Sequence, residues 1–209
     1  MSAAEDEIVR FDNVGLRYGT DREILSNVSF ALFPGRFYFL TGASGAGKTT
    51  IGQELYALLR ARRPNVVFLD GDHVRAIMGN DLGHTMEDRM ANAWRVCRLC
   101  KYLDDQGIDV VCAILSIFPE TQKWNRENYA RYFEVYIEVP MDELVARDQK
   151  GLYSGALSGQ IQDVVGFDIP FQPPQADLVV SNGEPMRPPA SLAAQIAAAM
   201  DIDMDKVSA

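Results

Sequence analysis

A glycine-rich loop constrains this sequence more than any other feature. It reads Gly42-Ala43-Ser44-Gly45-Ala46-Gly47-Lys48-Thr49 and fits the pattern G-x-x-x-x-G-K-[ST]. Residues 36–40 predict an apolar strand before the loop, and residues 51–60 predict an amphipathic helix after it. Glycines let backbone N–H groups approach phosphate oxygens, and the start of a helix adds partial positive charge. The sequence therefore predicts a nucleoside triphosphate site, in which Lys48 reaches the β- and γ-phosphates and Thr49 offers its hydroxyl to Mg²⁺.

Composition and charge exclude several classes of function. The 209 residues are 47% hydrophobic and 23% charged, as in an ordinary globular protein, and the net charge of −9 argues against nonspecific nucleic-acid binding. No apolar run is long enough to span a bilayer, and the acidic N-terminus does not match a signal peptide. Three cysteines fit a reducing compartment, and Cys97 and Cys100 predict buried thiols on a helix rather than a zinc site. We therefore expect a cytoplasmic protein with a small nucleotide-type substrate, no nucleic-acid partner, no membrane insertion, and a homodimer as a candidate assembly.

Strands and helices alternate downstream of the loop. Four further strands are predicted, at 66–69, 108–115, 133–139 and 178–180, and three further helices, at 86–106, 141–147 and 190–200. This alternation predicts an α/β fold with a mostly parallel sheet flanked by helices. Upstream, residues 8–18 and 28–33 alternate like strands and, with the strand at 36–40, predict an antiparallel start. Residues 149–175 are rich in Gly, Gln and Pro, which indicates a mobile connection or lid.

Two carboxylates follow the second predicted strand of the sheet. Asp70 and Asp72 stand where ligands bind in parallel α/β sheets, at the carboxyl ends of the strands. One carboxylate could hold Mg²⁺ and the other could accept a proton from an attacking hydroxyl, while Arg75 could bind an anionic part of the substrate. A solvated turn is the alternative, because Asp-Gly is a common turn pair.

Basic residues mark two further places in the sequence. Arg89, Asn92 and Arg95 are spaced by three, so they share one face of a helix and suit a phosphate- or sulfate-bearing nucleotide. The alternative is a polar stripe that faces solvent. Arg147 or Lys150, at the start of the predicted lid, could close over the transferring phosphate, or both could belong to an ordinary basic loop.

Together these clusters resemble the adenylylsulfate (APS) kinase family over residues 40–183. The segments that carry the resemblance are GASGAGKTT, LDGDHVR, DLGH with DRMANAWR, RDQKGLYSGALSGQ and VGFDIPFQPPQADLVV, in the order and spacing of that family. The resemblance implies a P-loop kinase that transfers the γ-phosphate of MgATP to the ribose 3′-hydroxyl of APS.

The resemblance also implies roles for individual residues. The catalytic residues that it implies are Asp72 as the base, Lys48 and Asp70. The implied metal ligands are Thr49 and Asp70, and the implied ATP-binding residues are the loop 42–49, Thr50 and Arg147. The implied acceptor-binding residues are Arg75, Arg89, Asn92, Ser116, Lys150 and Phe167. Ser116 matches a family serine that can be phosphorylated, and Phe167 and Phe171 lie near the family's substrate-facing aromatic position.

Two departures from the family pattern favour a different acceptor. His84 stands where the family has a phenylalanine that stacks on adenine, and residues 116–126 replace a Ser-Pro-Tyr segment followed by paired arginines. The stretch that begins at Trp124 and includes Arg126 is similar to an APS-kinase-like subgroup associated with surface-polysaccharide modification. One member of that subgroup acts on cytidine diphosphoramidate. We therefore place His84, Trp124 and Arg126 in the acceptor site and expect a cytidylyl-activated acceptor, with unchanged APS specificity as the alternative.

The N-terminal segment has a second resemblance. Residues 8–50 are similar to the start of an ABC-type ATPase, especially of the cell-division subgroup, in which an aromatic at the position of Tyr18 stacks on adenine. Downstream, Gly71 stands where an ABC enzyme has a catalytic glutamate. We expect an ABC-like β extension over residues 1–35, joined to a kinase domain over residues 36–209. The rival interpretations are an ABC-type ATPase subunit that binds a membrane partner and a nucleotide-binding regulator without turnover.

Overall fold

Two antiparallel strands come first in the chain. The computed structural model describes residues 9–17, 23–32, 36–148 and 151–200. β1 (Val9–Arg17) pairs with β2 (Glu23–Leu32) in an antiparallel two-stranded sheet of their own. The predicted N-terminal strand pair is confirmed, although β2 begins five residues earlier than expected.

Five parallel strands form the main sheet. They are β3 (Phe37–Thr41), β4 (Val66–Asp70), β5 (Asp109–Ala113), β6 (Tyr132–Glu138) and β7 (Leu178–Ser181). Their order across the sheet is β4-β5-β3-β6-β7. β3 therefore does not belong to the antiparallel start, contrary to our expectation, because β5 and β6 occupy both of its edges. Since the strands are parallel, Thr41, Asp70 and Ala113 end their strands at the same edge of the sheet.

Seven helices lie within the described residues. They are α1 (Lys48–Arg60), α2 (Gly71–Ile77), α3 (Met86–Asp105), α4 (Pro119–Asn128), α5 (Met141–Arg147), α6 (Leu152–Leu157) and α7 (Pro189–Ala199). The predictions of α1, α3, α5 and α7 are confirmed, whereas α2, α4 and α6 were not predicted. Among these helices, none combines the length and the apolar character that a membrane span requires.

The sheet separates two apolar clusters, because successive residues of a strand point to opposite faces. On one face, Tyr38 and Leu40 of β3 belong to a cluster that includes residues of α1 and α7. On the other face, Phe37 and Phe39 pack with residues of α3. All five residues of β3 are buried, as expected for a parallel strand covered on both sides. The three cysteines are free and buried. The parallel sheet with helices on both faces confirms the predicted α/β fold.

The predicted lid contains a helix and buried side chains. α6 lies in this segment, and Tyr153 belongs to the same apolar cluster as α1. Val164 and Val165 are also buried. Residues 149 and 150 lie outside the described part of the chain. The movement of residues 149–175 as a lid stays a prediction.

Candidate active site

The glycine-rich loop lies between the end of β3 and the start of α1. Gly45 and Gly47 have φ angles of 81° and 89°, in the left-handed region that favours glycine. A Cβ on Gly42 would lie 2.5 Å from the carbonyl oxygen of Ile137, and one on Gly47 would lie 2.7 Å from Nδ2 of Asn182. The loop therefore requires glycine at these positions, and its backbone is open to close approach by phosphate groups.

Lys48 folds over the loop that it follows. Its Nζ donates a hydrogen bond to the carbonyl oxygen of Ala43, at 2.7 Å. The ammonium group thus lies above the backbone that would bind a triphosphate, within reach of the phosphates that the sequence predicted as its partners.

Asp70 and Asp72 lie beside the loop. Asp70 ends β4 and caps α2, because its Oδ1 accepts a hydrogen bond from the backbone N–H of Asp72 at 3.0 Å. Its Oδ2 accepts a hydrogen bond from Oγ1 of Thr49 at 2.6 Å. The carboxylates and the glycine-rich loop therefore lie at the same edge of the sheet, where the sequence analysis placed them.

The oxygen atoms of Thr49 and Asp70 suit a magnesium ion. Mg²⁺ takes few protein ligands and completes its octahedral coordination with waters and substrate phosphates. The described residues contain no cluster of three or more His, Cys, Asp or Glu that could hold a metal ion. The residues present fit the ion, and Thr49 and Asp70 would hold it against the phosphates of bound ATP.

Two of the predicted acceptor arginines converge on one short loop. Nη1 of Arg75 donates to the carbonyl oxygens of Leu82 and Gly83, at 3.2 and 2.9 Å. Nε of Arg89 donates to the carbonyl oxygen of His84, at 2.7 Å. A guanidinium carries five N–H groups, so these contacts leave each arginine able to bind an anion as well.

His84 lies in the electrostatic field of this cluster. Partial burial lowers the pKa of His84, and the positive charges of Arg75 and Arg89 lower it further, while Asp72 opposes them. Burial and Arg75 also lower the pKa of Arg89. The structure thus brings together four predicted site residues, Asp72, Arg75, His84 and Arg89, and it favours the neutral form of the imidazole.

Asn92 and Ser116 are the buried members of the predicted acceptor group. Asn92 lies one helical turn after Arg89, and its Oδ1 has no hydrogen-bond partner among the described residues. The Ser116 backbone N–H donates to Oγ1 of Thr41, at 3.1 Å, and Oγ of Ser116 accepts from Gln122, at 3.2 Å. Ser116 therefore lies beside the residue that leads into the glycine-rich loop.

Phe167 lies on a turn that Arg89 connects to the same loop. Nη2 of Arg89 donates to the carbonyl oxygen of Asp163, at 2.7 Å. The Asp168 carboxylate accepts the backbone N–H groups of Asp163 and Val164, which closes the turn. The Phe167 side chain is 45% exposed, whereas the Phe171 ring packs against Tyr136. Phe167 thus presents an aromatic face on a segment held next to His84 through Arg89.

Trp124 and Arg126 make structural contacts instead of joining this group. The Trp124 ring packs edge-on against Trp94 and Tyr129, with centroids 5.8 and 5.9 Å apart. Arg126 donates hydrogen bonds to the Asp177 carboxylate at 3.0 Å, to Oε2 of Glu134 at 3.0 Å and to the carbonyl oxygen of Gln175 at 2.7 Å. Glu134 is 1% exposed and therefore requires a nearby positive charge. The acceptor-binding roles of Trp124 and Arg126 stay predictions.

Arg147 reaches the glycine-rich loop through an intermediate residue. Its Nη2 donates to Glu143 at 3.1 Å and to the carbonyl oxygen of Asn182 at 2.8 Å. Nδ2 of Asn182 in turn donates to the carbonyl oxygen of Ala46, at 2.9 Å. Two other predicted residues, Tyr18 and Lys150, lie outside the described part of the chain.

Sequence reasoning missed two residues that contact the loop. One is Asn182, and the other is Tyr153, whose hydroxyl donates to the carbonyl oxygen of Ser44 at 2.9 Å. Neither residue stands in a local pattern that points to the loop, because the contacts span 136 and 109 positions of the chain.

The chain is similar to known kinases. Residues 35–181 match the family described as adenylylsulphate kinase. Cytidine diphosphoramidate kinase from Campylobacter jejuni is 45% identical over 144 residues, which cover 69% of this chain and 84% of that protein. Adenylyl-sulfate kinase from Myxococcus xanthus is 38% identical over 154 residues, which cover 72% of this chain and 83% of that protein.

A solved structure shows the same fold. The APS kinase CysC from Mycobacterium tuberculosis, in complex with AMPPNP and APS, aligns with a TM-score of 0.72 and 29% identity, over 80% of this chain and 98% of that one. The matched region contains the glycine-rich loop, the carboxylate pair and the arginine cluster. This protein is therefore a phosphotransferase, and the chain belongs to the adenylylsulphate kinase family.

Proposed function

We propose that the protein transfers the γ-phosphate of ATP to the ribose 3′-hydroxyl of a cytidylyl-activated nucleotide such as cytidine diphosphoramidate. The observation that carries the chemistry is the 2.6 Å contact between Thr49 and Asp70, because it fixes the carboxylate pair beside the glycine-rich loop. The acceptor hydroxyl and the terminal phosphate can therefore meet at one edge of the sheet.

The residues supply the parts of an in-line phosphoryl transfer. Asp72 accepts the proton of the acceptor hydroxyl, whose oxygen forms a bond to the γ-phosphorus. The bond between the γ-phosphorus and the oxygen that bridges it to the β-phosphorus breaks, and ADP leaves. Lys48 stabilises the charge on the phosphate oxygens, and Thr49 and Asp70 would hold a Mg²⁺ ion, which would neutralise part of the same charge when bound.

Two observations support a cytidylyl-activated acceptor. The relative from Campylobacter jejuni, at 45% identity, is named for cytidine diphosphoramidate. His84 also places a neutral, polar ring in the acceptor cluster, where it can stack on a base and form a hydrogen bond to it. Phe167 is the proposed second aromatic partner, and Arg75, Arg89 and Asn92 are the proposed ligands of the anionic and polar groups.

Adenylylsulfate remains the second candidate acceptor. The family match and the relative from Myxococcus xanthus favour it, and the paired charges of Arg75 and Arg89 suit a sulfate as well as a phosphoramidate. The cytoplasm remains the proposed location, because three free thiols fit a reducing compartment. A homodimer remains the proposed assembly.

The acceptor can be identified by direct competition. The protein is incubated with MgATP and either cytidine diphosphoramidate or APS, and the phosphorylated nucleotide is quantified by mass spectrometry. We expect kcat/KM for the cytidine compound to exceed that for APS by about tenfold or more, the discrimination that base-specific contacts can supply. Preferential transfer to APS would reject the proposed acceptor. ADP formation without phosphorylation of either nucleotide would instead favour an ABC-type ATPase.

Asp72→Asn tests the proposed base. The amide cannot accept the hydroxyl proton, so phosphoryl transfer should fall by roughly two or more orders of magnitude, while ATP affinity stays within about twofold. Asp105→Asn is the matched control, because Asp105 is an exposed carboxylate at the far end of α3, where it pairs with Lys101. An unchanged transfer rate in Asp72→Asn would remove Asp72 from this role.

A further inference from the structure

Two buried side chains hold carbonyl groups of the glycine-rich loop. The Tyr153 hydroxyl donates to the carbonyl oxygen of Ser44, at 2.9 Å, and the Asn182 amide donates to that of Ala46, also at 2.9 Å. Tyr153 is 2% exposed and Asn182 is 6% exposed. Both contacts therefore come from the protein core and act on the backbone of the loop.

A hydrogen bond to a carbonyl also sets the direction of the next N–H group. The peptide unit is planar and trans, so its C=O and N–H bonds point in opposite directions. A donor that holds the carbonyl of Ser44 thereby orients the N–H of Gly45, and a donor on Ala46 orients the N–H of Gly47. These two glycines have little conformational preference of their own, since they lack a Cβ.

The two donors are themselves fixed in place. The backbone N–H of Asn182 donates to the backbone carbonyl oxygen of Glu138 at 2.9 Å, and the carbonyl oxygen of Asn182 accepts from Nη2 of Arg147. The backbone N–H of Tyr153 donates to the Asp148 carboxylate at 2.9 Å, and the ring packs in the apolar cluster of α1. Donors on such rigid supports can keep a loop in one conformation before its ligand arrives.

We propose that Tyr153 and Asn182 are positioning residues that aim the N–H groups of Gly45 and Gly47 at the phosphates of ATP. This inference rests on the use of ATP by the kinase, but it is independent of the acceptor. The two residues act through the loop and do not contact the reacting atoms. Their contribution is to preorganise the backbone donors, so that binding a triphosphate requires little rearrangement.

The variants Tyr153→Phe and Asn182→Leu remove each donor and keep the approximate side-chain size. Affinities for ATP, ADP and AMP are measured by isothermal titration calorimetry, without any acceptor. We expect each variant to lose about three- to tenfold in affinity for ATP and ADP, the scale of one hydrogen bond, and less than about twofold for AMP. The KM for ATP should rise in parallel, whereas the KM for the acceptor should not change.

Tyr129→Phe is the matched control. Tyr129 is also buried, and its hydroxyl also donates to a backbone carbonyl, that of Cys97 at 3.0 Å, but this bond lies away from the loop. The control should lower the unfolding temperature, but it should not weaken the binding of ATP more than the binding of AMP. Equal losses for ATP and AMP in Tyr153→Phe and Asn182→Leu, or no loss for either nucleotide, would overturn the proposal. Because the assay contains no acceptor, neither result depends on which nucleotide is phosphorylated.

Discussion

The ATP side and the acceptor side of this site are built in different ways. On the ATP side, one contiguous motif at 42–49 forms the loop, and buried side chains hold its carbonyl groups. On the proposed acceptor side, two segments at 82–89 and 163–168 meet through hydrogen bonds from Arg89. The first arrangement relies on the protein core, whereas the second relies on loops that Arg75 and Arg89 connect.

This difference explains how one fold can change its acceptor and keep its phosphate donor. Gly42 and Gly47 cannot be replaced without a clash, as the close contacts of an added Cβ at both positions show. In the proposed acceptor segments, His84 and Phe167 are exposed, and substitution at exposed positions disturbs less packing. Relatives of this chain named for different acceptors are consistent with such a division.

The largest effect is expected on the ATP side, from Lys48→Met. Loss of the ammonium group removes the charge that stabilises the transferring phosphoryl group, so kcat should fall by about 10³-fold. The KM for the acceptor should stay within about twofold, because the two sides are built separately. Steady-state kinetics with both substrates varied would measure this.

Lys101→Met is the control for that loss of charge. Lys101 pairs with Asp105 at the end of α3 and, within the described part of the chain, forms no hydrogen bond or ion pair with the loop 42–49. A decrease in kcat of less than about tenfold in Lys48→Met, or an equal effect in the control, would show that the ATP side does not depend on this charge.

The sequence predicted the ATP side and most of the fold because their signals are local. The loop, its strand and α1 form one continuous pattern, and α3, with 20 residues, is long enough to be predicted from its sequence. α2 and α6 escaped prediction because they have only seven and six residues and contain glycine, and α4 because Trp124 is its one large apolar side chain.

The sequence could not assign the partners of individual charged residues. Arg126 pairs with Asp177, which is 51 positions away, and with buried Glu134, and no local pattern indicated either partner. Tyr153 and Asn182 were missed for the same physical reason. A long-range contact leaves no periodic pattern in the sequence, so only the fold shows it.

A smaller and more selective effect is expected on the acceptor side, from Arg89→Lys. Lysine keeps the positive charge but lacks the planar fork that reaches the carbonyl oxygens of His84 and Asp163 together. The KM for the acceptor should rise by about tenfold, with the KM for ATP unchanged. Arg98→Lys, at an exposed position of the same helix, is the control. An equal rise in both KM values for Arg89→Lys would mean that the two sides are not separate.

The smallest effect, but the one most informative about the acceptor, is expected at His84. His84→Phe keeps an aromatic face and removes the polar ring atoms, so the ratio of kcat/KM for the cytidine compound to that for APS should fall by about fivefold. His84→Gln keeps a polar group and removes the ring, so it should raise the KM for both acceptors. Together the two variants separate stacking from hydrogen bonding.

The state of charge of His84 gives this prediction a second measurement. Because burial and the neighbouring arginines lower the pKa of His84 below its usual 6.5, the imidazole is neutral at neutral and alkaline pH. The acceptor ratio of the unmodified protein should therefore stay constant as the pH rises from about 7, and it should change only in acid, below the usual range of histidine. In His84→Phe that change in acid should vanish. If His84→Phe keeps both the ratio and its pH dependence, base selection does not lie at His84, and Asn92 with its unpaired Oδ1 becomes the next position to test.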